Sequence, residues 1–191
     1  MYSERCRMHD RPFLPPFVLF LLFAIGGCSS QHQTIITPPR PALDKALRMD
    51  RVIIAGQPTE AELRSLSQRG ISSVVNVRTP EEMKDSTEFS FDEAKLVQEK
   101  NIAYTNLPIG GEKYPYRPEV LEAFANILKA GTDTVLLHCK SGGRARWLYA
   151  AYEVKYLGKS PDEVVRSLER YGGWPLPLEK LSGIPLRLEN K

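Results

Sequence analysis

The sequence predicts an α/β fold in which a mainly parallel central sheet of four to five strands is flanked by helices. Short apolar runs alternate with amphipathic segments from Arg51 onward. Unbroken apolar runs are typical of strands that are buried on both faces, and alternating strands and helices are typical of a parallel sheet. The predicted strands are Val52–Ala55, Ser73–Val77, Ile102–Tyr104 and Thr134–His138.

Helix start and stop signals separate these strands. A Ser or Thr three residues before a Glu forms a capping box, a Pro suits a first helical turn, and a Gly ends a helix. The proline-rich segment that follows Gly173 is expected to be irregular. The helices predicted in this way start and end near Thr59 and Gly70, Ser90 and Asn101, Pro118 and Gly131, Arg144 and Tyr156, and Ser160 and Gly172.

The first 27 residues have the features of a secretory signal peptide. Three arginines precede the apolar run Phe17–Ile25, which is shorter than the roughly 20 residues of a membrane-spanning helix. The run ends at Ile25-Gly26-Gly27-Cys28, which resembles the lipobox of bacterial lipoproteins. We therefore expect residues 1–27 to be removed, Cys28 to be lipidated, and the exported protein to be anchored to a membrane facing the periplasm.

The rest of the chain divides into three parts. Residues 28–43 are expected to be the lipidated N-terminus and a flexible tether, because they are polar and then rich in proline. Residues 44–175 are expected to form one globular domain, and residues 176–191 a C-terminal tail. The formal net charge of +3 is too small to indicate a nucleic-acid partner, and none is expected. Cys139 is the one thiol left after the predicted processing, so no internal disulfide is expected.

The stretch from Val135 to Ala145 carries the strongest indication of chemistry. A buried strand leads into the loop Cys139-Lys140-Ser141-Gly142-Gly143 and then into a helix that starts near Arg144. Backbone N–H groups at such a junction point inward, and the helix dipole adds positive potential, so the loop suits an anion. A cysteine at this position is expected to be a thiolate nucleophile. A buried structural cysteine before a helix is the alternative.

Arg144 is expected to complete the anion site. Its planar guanidinium can hold two oxygens of a phosphoryl group, which the ammonium group of lysine does less well. Gly142 and Gly143 allow the backbone to approach the anion closely. Lys140 and Ser141 belong to the same phosphate-binding loop, and Lys140 and Arg146 would add positive potential near its entrance.

These residues resemble those of the bacterial dual-specificity members of the cysteine-based protein-phosphatase superfamily, in particular the β-lactamase hydrolase-like group. The resemblance covers residues from about 51 to 171. It implies a phosphatase-like fold and hydrolysis of phosphomonoesters through a cysteinyl-phosphate on Cys139, with a phosphorylated protein or a small phosphomonoester as substrate. The segments that carry it are Ala55–Thr59, Val75–Arg78, Leu107–Ile109 and His138–Arg144.

The loop departs from the superfamily pattern in two respects. Four residues separate Cys139 from Arg144, whereas five are usual, and Ala145 replaces the usual hydroxyl residue. A loop of this length also resembles that of the rhodanese-like sulfurtransferases, as does the segment from Val77 to Glu82. A sulfurtransferase that carries a persulfide on Cys139, and a non-catalytic phosphoanion-binding module, therefore remain as alternatives.

The resemblance also implies a general acid, for which Glu112 is the carboxylate in the loop after Leu107-Pro108-Ile109; a solvated loop glutamate is the alternative. His138 is expected to orient the loop by bonding its backbone, or else to be a core histidine. No metal and no cofactor are expected, since no carboxylate or thiol stands at ligand spacing from His138. Arg78 is expected to pair with Glu81 or Glu82.

Three tyrosines near the predicted site have two interpretations. Tyr104, Tyr114 and Tyr116 would either line the mouth of the pocket, where an aryl phosphate could stack on them, or belong to a loop that packs on the domain.

Overall fold

The structure is a computed structural model that describes residues 42–88, 90–168 and 176–185. All of them lie in the compact unit Pro38–Lys191. The predicted signal peptide, the lipidation residue Cys28 and nearly all of the predicted tether lie outside the described residues, and so does Gly172, where a helix was expected to end.

The described residues alternate between strands and helices from Val52 to Leu157, as the sequence predicts. The strands are β1 (Leu47–Met49), β2 (Val52–Ala55), β3 (Ile71–Asn76), β4 (Ala103–Asn106) and β5 (Thr134–His138). The helices are α1 (Glu60–Arg64), α2 (Pro80–Met83), α3 (Glu93–Gln98), α4 (Pro118–Ala130), α5 (Gly143–Leu157), α6 (Pro161–Leu168) and α7 (Leu176–Ser182). Short 3-10 turns cover Leu43–Lys45 and Ser67–Arg69.

The strands form one mostly parallel sheet with the order β1-β2-β5-β3-β4. The edge strand β1 pairs with β2 in the antiparallel sense, and the other neighbours are parallel. The central position of β5 explains why Val135, Leu136 and Leu137 are all at most 2% exposed. The predicted α/β fold class is confirmed.

Two apolar cores cover the two faces of the sheet, because successive side chains of a strand point to opposite faces. Leu137 belongs to the larger core, which contains residues of α4, α5, α6 and α7. Leu136 belongs to the smaller core, which contains residues of α1 and α3. The carboxyl ends of β2, β3 and β5 therefore open between two helical layers, where α/β proteins commonly bind their ligands.

The C-terminal segment differs from the sequence-based expectation. Residues of α7 are helical rather than irregular, because Leu178 and Leu181 lie three residues apart on one helix face and are fully buried in the larger core. Pro177 stands in the first turn, where proline is tolerated. The predicted helix start at Ser90 is also wrong: Asp92 is the N-cap of α3 and accepts a hydrogen bond from Lys95 N.

Candidate active site

Three loops converge at the carboxyl edge of the sheet around Cys139. The loop that follows β2 contributes Gly56 and Gln57, and the N–H of Gln57 donates to the carbonyl oxygen of Lys140 at 3.0 Å. The segment after β3 contributes Arg78 and helix α2. The segment after β5 contributes Cys139 and leads directly into α5. The candidate nucleophile therefore stands where parallel strands end and a long helix begins.

The sulfur of Cys139 lies at the N-terminal end of α5. Its Sγ accepts the backbone N–H of Gly142 at 3.1 Å, and the residue is only 1% exposed. A backbone N–H and the positive end of a 15-residue helix are thus both directed at the sulfur. The sulfur lies at the strand-to-helix junction where the sequence predicts the nucleophile, and its action as a thiolate stays a prediction.

Gly142 adopts a conformation that residues with a side chain rarely take. Its φ is +91°, and a Cβ atom there would lie 3.4 Å from the carbonyl oxygen of Ala55. Gly56 approaches the Cys139 loop still more closely, since a Cβ atom there would lie 3.1 Å from the carbonyl oxygen of Lys140. These two glycines let the loop after β2 pack directly against the Cys139 loop.

Arg144 is held in place by Glu82, which the sequence analysis expected to pair with Arg78. Arg144 Nη1 donates to Glu82 Oε2 and Arg144 Nη2 donates to Glu82 Oε1, each at 2.7 Å. Nη1 also donates to the carbonyl oxygen of Ile109 at 2.6 Å. The pair is bidentate, which fixes the plane of the guanidinium as well as its position.

Two N–H groups of Arg144 remain for an anion. A guanidinium has five N–H donors, and the contacts with Glu82 and Ile109 use both of those on Nη1 and one on Nη2. Nε–H and the second N–H of Nη2 donate to no acceptor in the described part of the chain. They lie parallel on one edge of the guanidinium, the geometry that binds two oxygens of a phosphoryl group.

Glu82 owes its position to the capping box of α2. Thr79 Oγ1 accepts the backbone N–H of Glu82, and Glu82 Oε2 accepts the backbone N–H of Thr79 at 2.9 Å. The hydrogen bonds from Arg144 lower the pKa of Glu82 from 4.5 to about 2 against the opposing effect of partial burial, with further help from Thr79 and Arg78. Glu82 is therefore ionised at neutral pH.

Arg78 connects this pair to the opposite side of the loop. Its side chain is 1% exposed; Nη2 donates to Glu88 Oε2 at 2.5 Å, and Nε lies 3.7 Å from Glu82 Oε1. Lys140 also pairs with Glu88. Of the two expected partners, Glu82 pairs with Arg78, whereas Glu81 contacts Lys113 at 2.7 Å; Glu88 is a further partner that the sequence did not indicate. Glu88 pairs with both Lys140 and Arg78. Glu82 pairs with both Arg78 and Arg144, so positive and negative side chains alternate along the loop.

His138 lies behind the nucleophile and bonds a different group from the one expected. Its Nε2 is 2.8 Å from Oε1 of Glu93, and both side chains are fully buried. Nδ1 has no hydrogen-bond partner within the described residues. The ring therefore contacts a carboxylate from α3 rather than the backbone of the Cys139 loop.

The loop that follows β4 places Glu112 at the tip of a tight turn. Gly110 and Tyr114 form an isolated β-bridge, and Gly110 N donates to Tyr114 O at 2.6 Å. Glu112 is exposed and has no polar partner in the described ranges. The turn is nevertheless connected to the site, because a Cβ atom on Gly110 would lie 3.1 Å from Nη1 of Arg144.

The three tyrosines of this region separate in the structure. Burial raises the pKa of Tyr116, whose hydroxyl lies within electrostatic range of Arg144 and Cys139. Tyr104 instead accepts a hydrogen bond from Asn76 Nδ2 at 3.0 Å and packs against the smaller core. Tyr114 lies under the ammonium group of Lys113. Of the three, Tyr116 is thus the one whose hydroxyl is within electrostatic range of Cys139.

The remaining predicted residues take these places. Gly143 is the first residue of α5, and Ser141 is exposed on the loop. Arg146 turns away toward α6 and donates to the carbonyl oxygen of Ser167 at 3.1 Å. Among residues 42–88, 90–168 and 176–185, no cluster of three His, Cys, Asp or Glu side chains is placed to hold a metal. No helix within these ranges has the length and apolar character to span a membrane.

Curated relatives share part of the sequence. A β-lactamase hydrolase-like protein of Xylella fastidiosa is 31% identical over 105 residues, which cover 55% of this chain and 24% of that protein. A protein of the same name from Agrobacterium fabrum is 32% identical over 111 residues, which cover 57% of this chain and 25% of that protein. The chain thus spans about a quarter of the length of these relatives. No protein-family model matches the chain.

Solved structures extend the likeness over most of the described domain. A candidate phosphatase (DUF442) from Shewanella putrefaciens CN-32 is 25% identical with a TM-score of 0.56, covering 72% of this chain and 88% of that one. PTPMT1 is 21% identical with a TM-score of 0.59, covering 72% and 92%. The domain has the cysteine-based phosphatase fold. TpbA of P. aeruginosa shares this fold at 18% identity and a TM-score of 0.52, covering 66% and 73%.

The resemblance to the cysteine-based phosphatases is therefore confirmed. Within this phosphatase-like domain the structure brings Cys139, Gly142 and Arg144 together and leaves Glu112 on an exposed turn. Sequence reasoning missed Glu93, named Gln57 only within the segment Ala55–Thr59, and considered Glu82 only as a partner of Arg78. The pattern from Thr79 to Glu82 is that of a capping box and could have indicated helix α2, but not the contact between Glu82 and Arg144.

Replacing Gly142 by alanine should destabilise the domain, because the positive φ and the contact with Ala55 both disfavour a Cβ atom. We expect the free energy of unfolding to fall by about 1–3 kcal/mol, measured by urea denaturation. Gly143→Ala is the matched control, since its Cβ would meet nothing closer than Ser141 Oγ at 3.9 Å. Equal stabilities of the two variants would contradict the strained position of Gly142.

Replacing Glu82 by glutamine should destabilise the domain in a pH-dependent manner. Because the pKa of Glu82 is lowered from 4.5 to about 2 by folding, its carboxylate stabilises the native state above pH 4.5 and loses that effect as the pH falls through about 2. The difference in unfolding free energy between parent and Glu82→Gln should thus be largest at neutral pH and should vanish near pH 2.

Unfolding of both proteins by urea between pH 7 and pH 2 measures this difference. Glu122→Gln, on the exposed side of α4, controls for the loss of a surface carboxylate. A difference that stayed constant over the whole pH range would show that the Arg144 pair does not contribute in the way described.

Proposed function

We propose that this protein hydrolyses phosphomonoesters, with Cys139 as a nucleophile that forms a cysteinyl-phosphate. The observation that carries the proposal is the pairing of Arg144 with Glu82, which leaves two parallel N–H donors beside a cysteine at a helix N-terminus. The candidate phosphatase from Shewanella putrefaciens that shares the fold supports the same reaction by its name.

The reaction would proceed in two displacements. In the first, the thiolate of Cys139 forms a bond to phosphorus while the bond to the leaving oxygen breaks and that oxygen takes a proton. In the second, water attacks phosphorus and gives a proton to the group that protonated the leaving oxygen, the sulfur–phosphorus bond breaks, phosphate departs, and the thiolate is regenerated. The free N–H groups of Arg144 and the first backbone N–H groups of α5 would hold the equatorial oxygens during both steps.

The leaving oxygen needs a proton donor, and we propose Glu112 for this role. Glu82 cannot serve, because a group with a pKa of about 2 is unprotonated at neutral pH. Glu112 stands on the turn between Gly110 and Tyr114, which contacts the Arg144 side chain through Gly110. Closure of this turn over a bound substrate would bring the Glu112 carboxyl toward the leaving group.

The substrate class is a phosphorylated protein or a small phosphomonoester. Tyr116, whose hydroxyl lies within electrostatic range of Cys139, would provide an aromatic surface on which an aryl phosphate can stack, in accord with a tyrosine or dual-specificity type of phosphatase. The chemistry requires no cofactor. We also propose, from the N-terminal sequence, that the enzyme is exported, lipidated on Cys28 and anchored to a membrane facing the periplasm.

A sulfurtransferase is the second candidate, and the spacing of the loop favours it. Four residues lie between Cys139 and Arg144, as in rhodanese-like loops. Cys139 would then take a sulfur atom from a donor such as thiosulfate, release sulfite and pass the sulfur to an acceptor thiophile. A module that binds phosphate without reacting is the third reading of the same anion site.

Replacing Cys139 by serine separates these functions. The full chain, purified in detergent, is expected to hydrolyse a chromogenic aryl phosphate in the presence of a chelator, and Cys139→Ser should reduce the rate by at least about 10³-fold, because the serine hydroxyl is not ionised at neutral pH. A chain with Cys6→Ser and Cys28→Ser is the control and should keep its activity.

The other outcomes of this assay identify the alternatives. Sulfur transfer from thiosulfate to cyanide without phosphate hydrolysis would replace the phosphatase proposal by the sulfurtransferase. Absence of both activities, with a melting temperature that rises in vanadate, would leave binding alone.

Replacing Glu112 by glutamine tests the proposed acid. Glutamine cannot donate a proton to the leaving oxygen, so we expect kcat to fall by about 10²- to 10⁴-fold and the decline of kcat on the basic side of the pH profile to disappear. Glu119→Gln, at the exposed start of α4, is the control for loss of a nearby surface charge. An unchanged pH profile in Glu112→Gln would assign the proton donor to another group.

A further inference from the structure

A buried carboxylate that the proposed reaction does not use lies directly behind the Cys139 loop. Glu93 is the first residue of α3 and is 2% exposed. A glutamate in the first turn of a short helix would normally face solvent, since burying a carboxylate without partners is costly. Its burial here calls for a specific set of partners.

The Glu93 carboxylate has donors from three neighbouring strands. His138, the last residue of β5, lies 2.8 Å from Oε1 through Nε2. Gln57, just after β2, donates from Nε2 to Oε2 at 2.6 Å, and Asn76, the last residue of β3, donates to Oε1 at 3.4 Å. One side chain of α3 thus connects the carboxyl ends of β2, β5 and β3 beneath the active-site loop.

The contact with His138 determines where the imidazole carries its proton. A carboxylate accepts hydrogen bonds and cannot donate one, so Nε2 of His138 must be protonated. The same contact fixes the orientation of the ring, which stands one residue before Cys139. His138, Gln57 and Arg78 together lower the pKa of Glu93, although burial, the largest single effect, raises it.

We propose that Glu93 is a positioning residue for the nucleophile: it fixes the Nε2–H form and the orientation of His138, the residue immediately before Cys139. Through His138 it holds the start of the loop, and hence the sulfur, in place beside the N–H of Gly142. The inference rests on Cys139 being the nucleophile of the proposed function, but it holds for a phosphatase and for a sulfurtransferase alike.

The charged and titratable groups around this pair are few in the described residues. Arg78 faces the Glu93 carboxylate from the end of β3, and Tyr104 on β4 lies within electrostatic range of both Glu93 and Asp92. Burial, with the nearby Glu93 charge, raises the pKa of the Tyr104 hydroxyl, so this group stays neutral. Arg78 supplies a fixed charge. The contact through which Glu93 reaches the nucleophile is therefore the one with His138.

The pH dependence of Cys139 alkylation tests the proposal without any assumption about the reaction catalysed. In the full chain carrying Cys6→Ser and Cys28→Ser, Cys139 is the one thiol, and its rate of reaction with iodoacetamide reports the thiolate. Glu93→Gln should move the midpoint of this rate upward by about one pH unit, because the sulfur would no longer be held beside the N–H of Gly142. The reaction would then be about tenfold slower on the acidic side of the midpoint.

Three further variants distinguish positioning from a structural role. Glu93→Asp keeps the charge and should restore part of the parental midpoint. Glu99→Gln, an exposed change just after the same helix, should leave the midpoint unchanged. In a His138→Asn background, Glu93→Gln should have no additional effect, because the group through which it acts is missing. A folded Glu93→Gln variant with the parental midpoint would overturn the proposal.

A measurement on the unmutated ring keeps the proposal testable if Glu93→Gln does not fold. Nitrogen-15 NMR of the imidazoles, with the His138 signals identified by their loss in His138→Asn, should show a proton on Nε2. A neutral ring that is protonated on Nδ1 would contradict the proposal. Absence of phosphatase activity would overturn the proposed function alone and would leave the alkylation result unaffected.

Discussion

The bidentate pair between Arg144 and Glu82 sets the geometry on which the anion site depends. An arginine side chain has many rotamers, and losing that freedom on binding a ligand would cost affinity. Here the carboxylate of Glu82 has already fixed the plane of the guanidinium. Glu82 is fixed in turn by the capping box of the four-residue helix α2. A local helix signal thus orients a side chain 62 residues further along the chain.

The same principle operates on the two sides of the nucleophile. Arg144 is paired with Glu82 on one side of Cys139, and His138 is paired with Glu93 on the other. The carboxylate of Glu82 reduces the cost of holding the Arg144 guanidinium away from water, because an unpaired buried charge is far more expensive than a paired one. Each carboxylate also directs the N–H groups of its partner. Acidic residues thus fix the orientations of both side chains, Arg144 and His138.

How far the sequence predicts this arrangement depends on whether the signal is local. The strands Val52–Ala55 and Thr134–His138 were predicted with their observed bounds, because unbroken apolar runs mark strands buried on both faces. Strand β1 was missed, since three residues show no clear alternation. The role of Glu93 could not be predicted, because its partner lies 45 residues away and only the sheet order places β5 beside β2 and β3.

Because the loop is short, side chains rather than backbone N–H groups must provide more of the contacts to an anion. With four residues between Cys139 and Arg144, fewer backbone N–H groups are available than in the usual five-residue spacing, and one of them, on Gly142, is directed at the sulfur itself. More of the charge on a bound oxyanion must then be balanced by the two free N–H groups of Arg144. The bidentate contact with Glu82 compensates for the smaller number of backbone donors. A guanidinium held rigidly in place binds an oxyanion with less loss of entropy than a mobile one.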